Sequence, residues 1–211
     1  TAYNCVLDVC VACGAEPGGA SRALELFERM KEVQHVDVIS YNTLLKLLMK
    51  QQSWAKVEQV LEEMRGRGLK PNVVTYNSLI NAFISAGDMA SAWRHLEDME
   101  KYGVQMDAYT CSIMMKGLKH SNRKEDMDRI LGLMDKSKVV PDEVLMNTLL
   151  DACMRLRDPR RLNDALNQFK ASGVVPSMHA HAVLIKAYGQ AHRLDQAWKV
   201  WRELMHDRRT H

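Results

Sequence analysis

An asparagine follows a tyrosine in two near-identical settings, "YNTLLK" at Tyr41 to Lys46 and "YNSLIN" at Tyr76 to Asn81. A carboxamide offers one acceptor and two donors on a short side chain, so its chemistry is directional hydrogen bonding rather than proton transfer. Other residues invite different chemistry. Cys5, Cys10 and Cys13 have ligand-like spacing, but helical rotation swings Cys10 away from the other two and no histidine follows closely, so no zinc site is expected. "HAHA" at His179 to Ala182, with His192, suggests a metal or a catalytic base. Their position favours a terminal helix that faces another repeat. No metal or cofactor is expected.

The asparagines belong to a larger pattern. "VDVISYNTLL" begins at Val36, "PNVVTYNSLI" at Pro71, "MDAYTCSIMM" at Met106, "PDEVLMNTLL" at Pro141 and "PSMHAHAVLI" at Pro176, each 35 residues after the last. Chance does not hold such a register, and a fixed period of this size marks a repeat architecture. "TAYNCVLDVC" at the start is a looser copy, its surplus length lying in the turn-type run "GAEPGG". In this register Asn4, Asn42, Asn77, Ser112 and Asn147 are equivalent, and Ala182 takes the place in the last unit.

Each unit carries two apolar stripes at helical spacing. Leu79, Ile80, Phe83 and Ile84 form one; Met89, Ala92, Trp93, Leu96 and Met99 form the next. Gly103 ends the second helix where a left-handed residue is wanted, and Pro71, Pro141 and Pro176 follow such ends. A pair of helices this short cannot bury its own apolar face, so pairs must stack into a continuous core. The expected fold is all-α, a right-handed α-solenoid superhelix of stacked helix-turn-helix units. One array is expected, with units at about 1–37, 38–72, 73–107, 108–142, 143–177 and 178–211. First helices are read at 2–13, 40–51, 75–86, 110–121, 145–156 and 180–191.

Composition agrees. The 211 residues are 46% hydrophobic and 26% charged, with no apolar run long enough to span a bilayer. Thr1 falls inside a repeat, so the sequence is read as part of a longer chain. The five cysteines cannot all pair and are read as small buried thiols of a reducing compartment. Trp54, Trp93, Trp198 and Trp201 sit on second helices at core spacing.

Tetratricopeptide units have a period of about 34 residues and a Leu-Gly pair in the first helix; no first helix here has that pair. The segments 37–72 and 72–107 instead resemble the consensus of pentatricopeptide repeats, and the likeness covers essentially the whole chain. That family binds single-stranded RNA at one base per repeat. The resemblance implies two readers per unit, one after the first helix's aromatic and one at the unit's last residue. The pairs are Asn4 with Asp37, Asn42 with Asn72, Asn77 with Asp107, Ser112 with Asp142, and Asn147 with Ser177. It further implies U, a pyrimidine, U, G and C in 5′ to 3′ order. Ile39, Val74, Tyr109 and Val144 would wedge between bases, a place where Thr1 and His179 depart from the pattern. The rival reading of each asparagine is a helix cap.

Charge is an independent indication. The first helices contain Lys46, Lys50, Lys116, Lys119, Arg155 and Lys186 against only Asp8 and Asp151, whereas the second helices hold 15 bases and 17 acids. A positive inner face suits phosphate contacts. The deaminase pattern of His-x-Glu followed by Cys-x-x-Cys does not occur, nor does a nuclease-like aspartate cluster. The expectation is a binder and not an enzyme, acting on organellar RNA in processing, stability or translation, in a mitochondrion or plastid by family resemblance. The alternative is a scaffold subunit that binds other organellar proteins. No membrane association is expected.

Overall fold

A polar residue in extended backbone opens most first helices. Asp37 caps α3 (Val38–Lys50), Asn72 caps α5 (Val73–Ser85), Asp142 caps α9 (Glu143–Arg155) and Ser177 caps α11 (Met178–Gln190). Each side chain accepts an N–H from the first turn, which has no partner inside the helix. These helices start two residues earlier than apolar periodicity indicates. The reason is that the first turn is set by its cap, while apolar residues in it, such as Ile39 and Val74, are exposed and fall outside the buried stripe.

The structure, a computed structural model, describes residues 2–12, 18–121 and 123–207, and for 119–121 and 207 the backbone alone. Among the described residues there are twelve helices and no strand, and no helix is long and apolar enough to cross a membrane. By packing, the chain divides into two compact units, Thr1–Ala86 with Ser91–Val104 and Gly87–Ala90 with Gln105–His211.

In the first unit, α1 (Ala2–Ala12) packs on α2 (Gly19–Glu32) and α3, and α3 packs on α2, α4 (Trp54–Gly66) and α5. Eight of the thirteen residues of α3 are buried, against three in α4, so the first helices form the inner layer. Leu7, Phe27, Met30, Tyr41, Leu45 and Leu61 fill the core, with the Phe27 and Tyr41 rings edge-to-face at 5.0 Å. The Tyr41 hydroxyl donates to Glu63 at 3.0 Å, so the ring is buried without orphaning its polar end. The rest of this unit is α6 (Met89–Lys101) without its first two residues; there His95 stacks on Phe83, which stacks on Trp54.

In the second unit, α9 packs on α7 (Ala108–Ser121), α10 (Pro159–Ala171) and α11, while α7 packs on α8 (Lys124–Lys136) and α11 on α12 (Leu194–Asp207). Seven residues of α9 are buried against four of α10, the same layering. Cys111 and Cys153 lie in this core, and burial pushes their thiols up to about 12, so neither is a reactive thiolate.

Two expectations about burial need correction. Cys5 is exposed, because α1 buries the face carrying Leu7 and Val11 and turns Cys5 to solvent. Trp198 and Trp201 are 59% and 42% exposed, because α12 packs on α11 by its other face. Trp93 is buried and Trp54 half-buried, as core spacing implies.

Candidate nucleic-acid interface

The closing residue of each pair has a structural job. Asp37 accepts the Ser40 N–H at 2.8 Å, and its own N–H donates to the Ser40 hydroxyl at 3.2 Å. Asn72 and Thr75 repeat this reciprocal cap at 3.0 and 3.1 Å, as do Asp107 and Thr110 at 2.7 and 3.2 Å. Asp142 accepts from the Leu145 N–H at 2.8 Å, and Ser177 from the Ala180 N–H at 3.3 Å. Restriction of this position to Asp, Asn or Ser therefore follows from capping alone. It does not require a second function. The asparagines after the aromatics stand differently. Asn42, Asn77 and Asn147 are the fifth residues of α3, α5 and α9, past the reach of a cap, so the capping alternative does not apply to them.

Two pairs lie wholly in the first unit. The Asn4 Nδ2 donates to both Asp37 carboxylate oxygens at 3.2 Å, and the Ser40 hydroxyl donates to the Asn4 Oδ1 at 2.7 Å. Burial raises the Asp37 pKa, but the Ser40 N–H, the Ser40 hydroxyl and the Asn4 amide outweigh it and hold the carboxyl below its ordinary value. The Thr75 hydroxyl likewise donates to the Asn42 Oδ1 at 2.7 Å and lies 3.1 Å from the Asn72 Oδ1, bridging the second pair.

In the second unit, Asp142 caps its helix, while the Ser112 hydroxyl is buried with no partner among the described residues. Ser177 donates to Glu143 rather than to Asn147, whose Oδ1 is also buried without a partner among the described residues. The third pair is divided: buried Asn77 belongs to the first unit and Asp107 to the second.

The wedge candidates share one feature. Ile39, Val74, Tyr109 and Val144 are 61%, 51%, 55% and 55% exposed, each the second residue of its helix. Asn42, Lys46 and Lys50 are four apart and line one face of α3. Lys46, Lys50, Lys116, Arg155 and Lys186 are all exposed; Arg155 donates to the Asp151 carbonyl at 3.3 Å, and none of the five is ion-paired among the described residues. The Lys119 side chain lies outside the described residues. In α5 the two lysine positions of α3 are Asn81 and Ser85, so this helix supplies no cation.

Cys13 lies outside the described residues, and among those described no group of three or more His, Cys, Asp or Glu could hold a metal ion. His181 is buried with Nδ1 on the Ser177 carbonyl at 2.8 Å, and His179 is exposed. Sequence reasoning passed over Ser40 and Thr75. The signal was present, a hydroxyl two residues before each of Asn42 and Asn77, but its partners, Asn4 and Asn42, are a whole repeat earlier.

The chain is similar to known proteins throughout. The PPR repeat family matches residues 36–85 and 71–120, the pentatricopeptide repeat domain 141–191, and a further PPR repeat 182–208. A chloroplastic pentatricopeptide repeat-containing protein of Arabidopsis thaliana is 44% identical over 55 residues, a stretch covering 25% of this chain and 7% of that protein. Among solved structures, the maize pentatricopeptide repeat protein PPR10 in complex with an 18-nt psaJ RNA element superposes with a TM-score of 0.66 at 23% identity, over 97% of this chain and 28% of that one. The PPR domain of Arabidopsis thaliana protein-only RNase P 1, in complex with tRNA, gives 0.66 at 18% identity over 87% and 95%. At these identities the likeness establishes the fold, an all-α helical-repeat solenoid. Repeat matches along most of its length show that the chain belongs to the pentatricopeptide repeat family.

Proposed function

We propose that this chain binds single-stranded RNA along its first helices, as one array of six repeats reading one base per complete pair. The carrying observation is the set of four exposed apolar side chains, Ile39, Val74, Tyr109 and Val144, each three residues before Asn42, Asn77, Ser112 or Asn147. One exposed apolar residue needs no explanation. Four in one register, each beside a largely buried polar group, suit insertion between bases whose edges meet that group. Stacking of this kind is worth about 1–3 kcal/mol per base, most of all at Tyr109. The exposed cations on the same helices then neutralise phosphates.

The pairs Asn4–Asp37, Asn42–Asn72, Asn77–Asp107, Ser112–Asp142 and Asn147–Ser177 read U, a pyrimidine, U, G and C. The chain acts as a binder and not a catalyst, in organellar RNA processing, stability or translation. The RNA-bound state of its structural neighbours supports the ligand, and the chloroplastic relative supports a plastid or mitochondrial setting. Selection from a random single-stranded RNA pool tests this reading, with that pentamer expected. Asn77→Thr should then turn the third preference from U to G and leave its neighbours unchanged. Enrichment of no sequence, or the same third base in both proteins, refutes it.

A second reading, a scaffold for other organellar proteins, draws on the cavity of about 870 Å³ between α8 and α10, lined by Leu131, Met134, Val139 and Ala165. An acidic peptide held more tightly than any RNA would favour it.

A further inference from the structure

The hydroxyl at the third residue of α3 and α5 does more than complete a cap. Ser40 Oγ is 2.7 Å from the Asn4 Oδ1 and 2.8 Å from the Asp37 Oδ1; Thr75 Oγ1 is 2.7 Å from the Asn42 Oδ1 and 3.1 Å from the Asn72 Oδ1. Each hydroxyl already accepts an N–H from the cap's backbone and has one proton to give. The shorter contact in both cases is to the asparagine of the preceding repeat. This settles which way the carboxamide faces. Flipping Asn4 would turn its Oδ1 onto the Asp37 carboxylate, an acceptor against an acceptor, and would lose both Nδ2 bonds. With the Asn42 oxygen held by the Thr75 hydroxyl, its N–H side remains for a ligand; at Asn4 the Nδ2 also donates to Asp37, which leaves at most one N–H for a base.

The second unit supplies the contrast. There the third residues of α9 and α11 are Leu145 and Ala180, with no hydroxyl, and the preceding repeats' Ser112 Oγ and Asn147 Oδ1 are buried with no partner among the described residues. A buried acceptor of this kind costs free energy and has nothing to orient it.

We propose that Ser40 and Thr75 are positioning residues for base recognition: each fixes the amide of the preceding repeat's asparagine so that it presents a donor. A fixed donor that meets the exocyclic group of the base favours the carbonyl of uracil and disfavours adenine, whose amino group at that place is itself a donor. The repeats ending at Asp142 and Ser177 lack this device and discriminate less sharply. The proposal rests on the asparagines being base readers, and the test separates the two claims.

The test measures binding of the full chain to single-stranded RNA carrying U-U-U-G-C, and to the same RNA with A at the second or the fifth base. Asn42→Ala should abolish the preference for U over A at the second base. Thr75→Val should reduce it roughly five- to tenfold, the scale of one hydrogen bond, with other positions unchanged, and Thr75→Ser should restore it. Ala180→Ser, which supplies the missing hydroxyl beside Asn147, should sharpen the preference at the fifth base; this gain does not depend on Thr75→Val folding well. If Asn42→Ala abolishes the preference while Thr75→Val and Ala180→Ser both discriminate as the parent does, the positioning role is overturned and the reader stands. If Asn42→Ala discriminates as the parent does, the reader itself is overturned.

Discussion

Replacing Lys46 and Lys116 together by glutamine should flatten the salt dependence of RNA binding by a calculable amount. Lys46, Lys50, Lys116, Arg155 and Lys186 are exposed on first helices and carry no ion pair among the described residues, so each is available to a phosphate. A single strand releases about 0.7 counterion per neutralised phosphate, so five contacts give a slope of log K against log salt near −3.5. Raising salt from ~50 to ~200 mM should then weaken parent binding about 100-fold. Without two contacts the slope becomes about −2.1 and the same step costs only about 20-fold. Fluorescence anisotropy of labelled RNA across a salt series measures both slopes. The loss at low salt should be similar for matched and mismatched RNA, because phosphates carry no base identity. Lys56→Gln, on the exposed face of second helix α4, is the control and should leave the slope unchanged. A double variant with the parental slope, or a control that flattens it equally, would remove the first helices as the RNA-contacting face.

Two further predictions concern the scaffold. His95 is 1% exposed, and its Nε2 lies 3.3 Å from Glu58 but too poorly aligned for a hydrogen bond. Burial lowers its pKa below the ordinary 6.5; the unfolded chain therefore takes up this proton first, and stability present above that value is lost as pH falls through it towards the folded value. Urea midpoints at neutral and mildly acidic pH should show the decline, and His95→Leu should remove this component; an identical decline in the variant would assign it to other groups. Lys138 holds a φ of 52° where Gly68, Gly103 and Gly173 take the same register in neighbouring repeats. Lys138→Gly should relieve a left-handed strain of about 1 kcal/mol, partly offset by glycine's greater unfolded freedom, and raise the midpoint; a lower midpoint would show that the lysine is not strained there.

Much of this protein is legible from sequence because a repeat states its local rules several times over. The 35-residue register, the paired helices and the left-handed glycine at Gly103 depend on interactions within a few residues, and the folded chain shows them. Helix starts depend on a local feature that apolar periodicity does not carry, the caps at Asp37 and Asn72. What only tertiary structure decided depends on neighbours distant in sequence. Periodicity marks Trp93 and Trp201 alike as core, yet one is buried and the other exposed, because a stripe records which residues share a face and not whether a helix covers it. The same holds at the candidate readers. Asn4 and Asn147 match in sequence register, but Asn4 is held by Ser40 and Asp37 while the Asn147 Oδ1 meets no partner among the described residues. That difference arises 33 or more residues away, at the third position of the next repeat's first helix. A hydroxyl there orients the amide, and Leu145 or Ala180 does not.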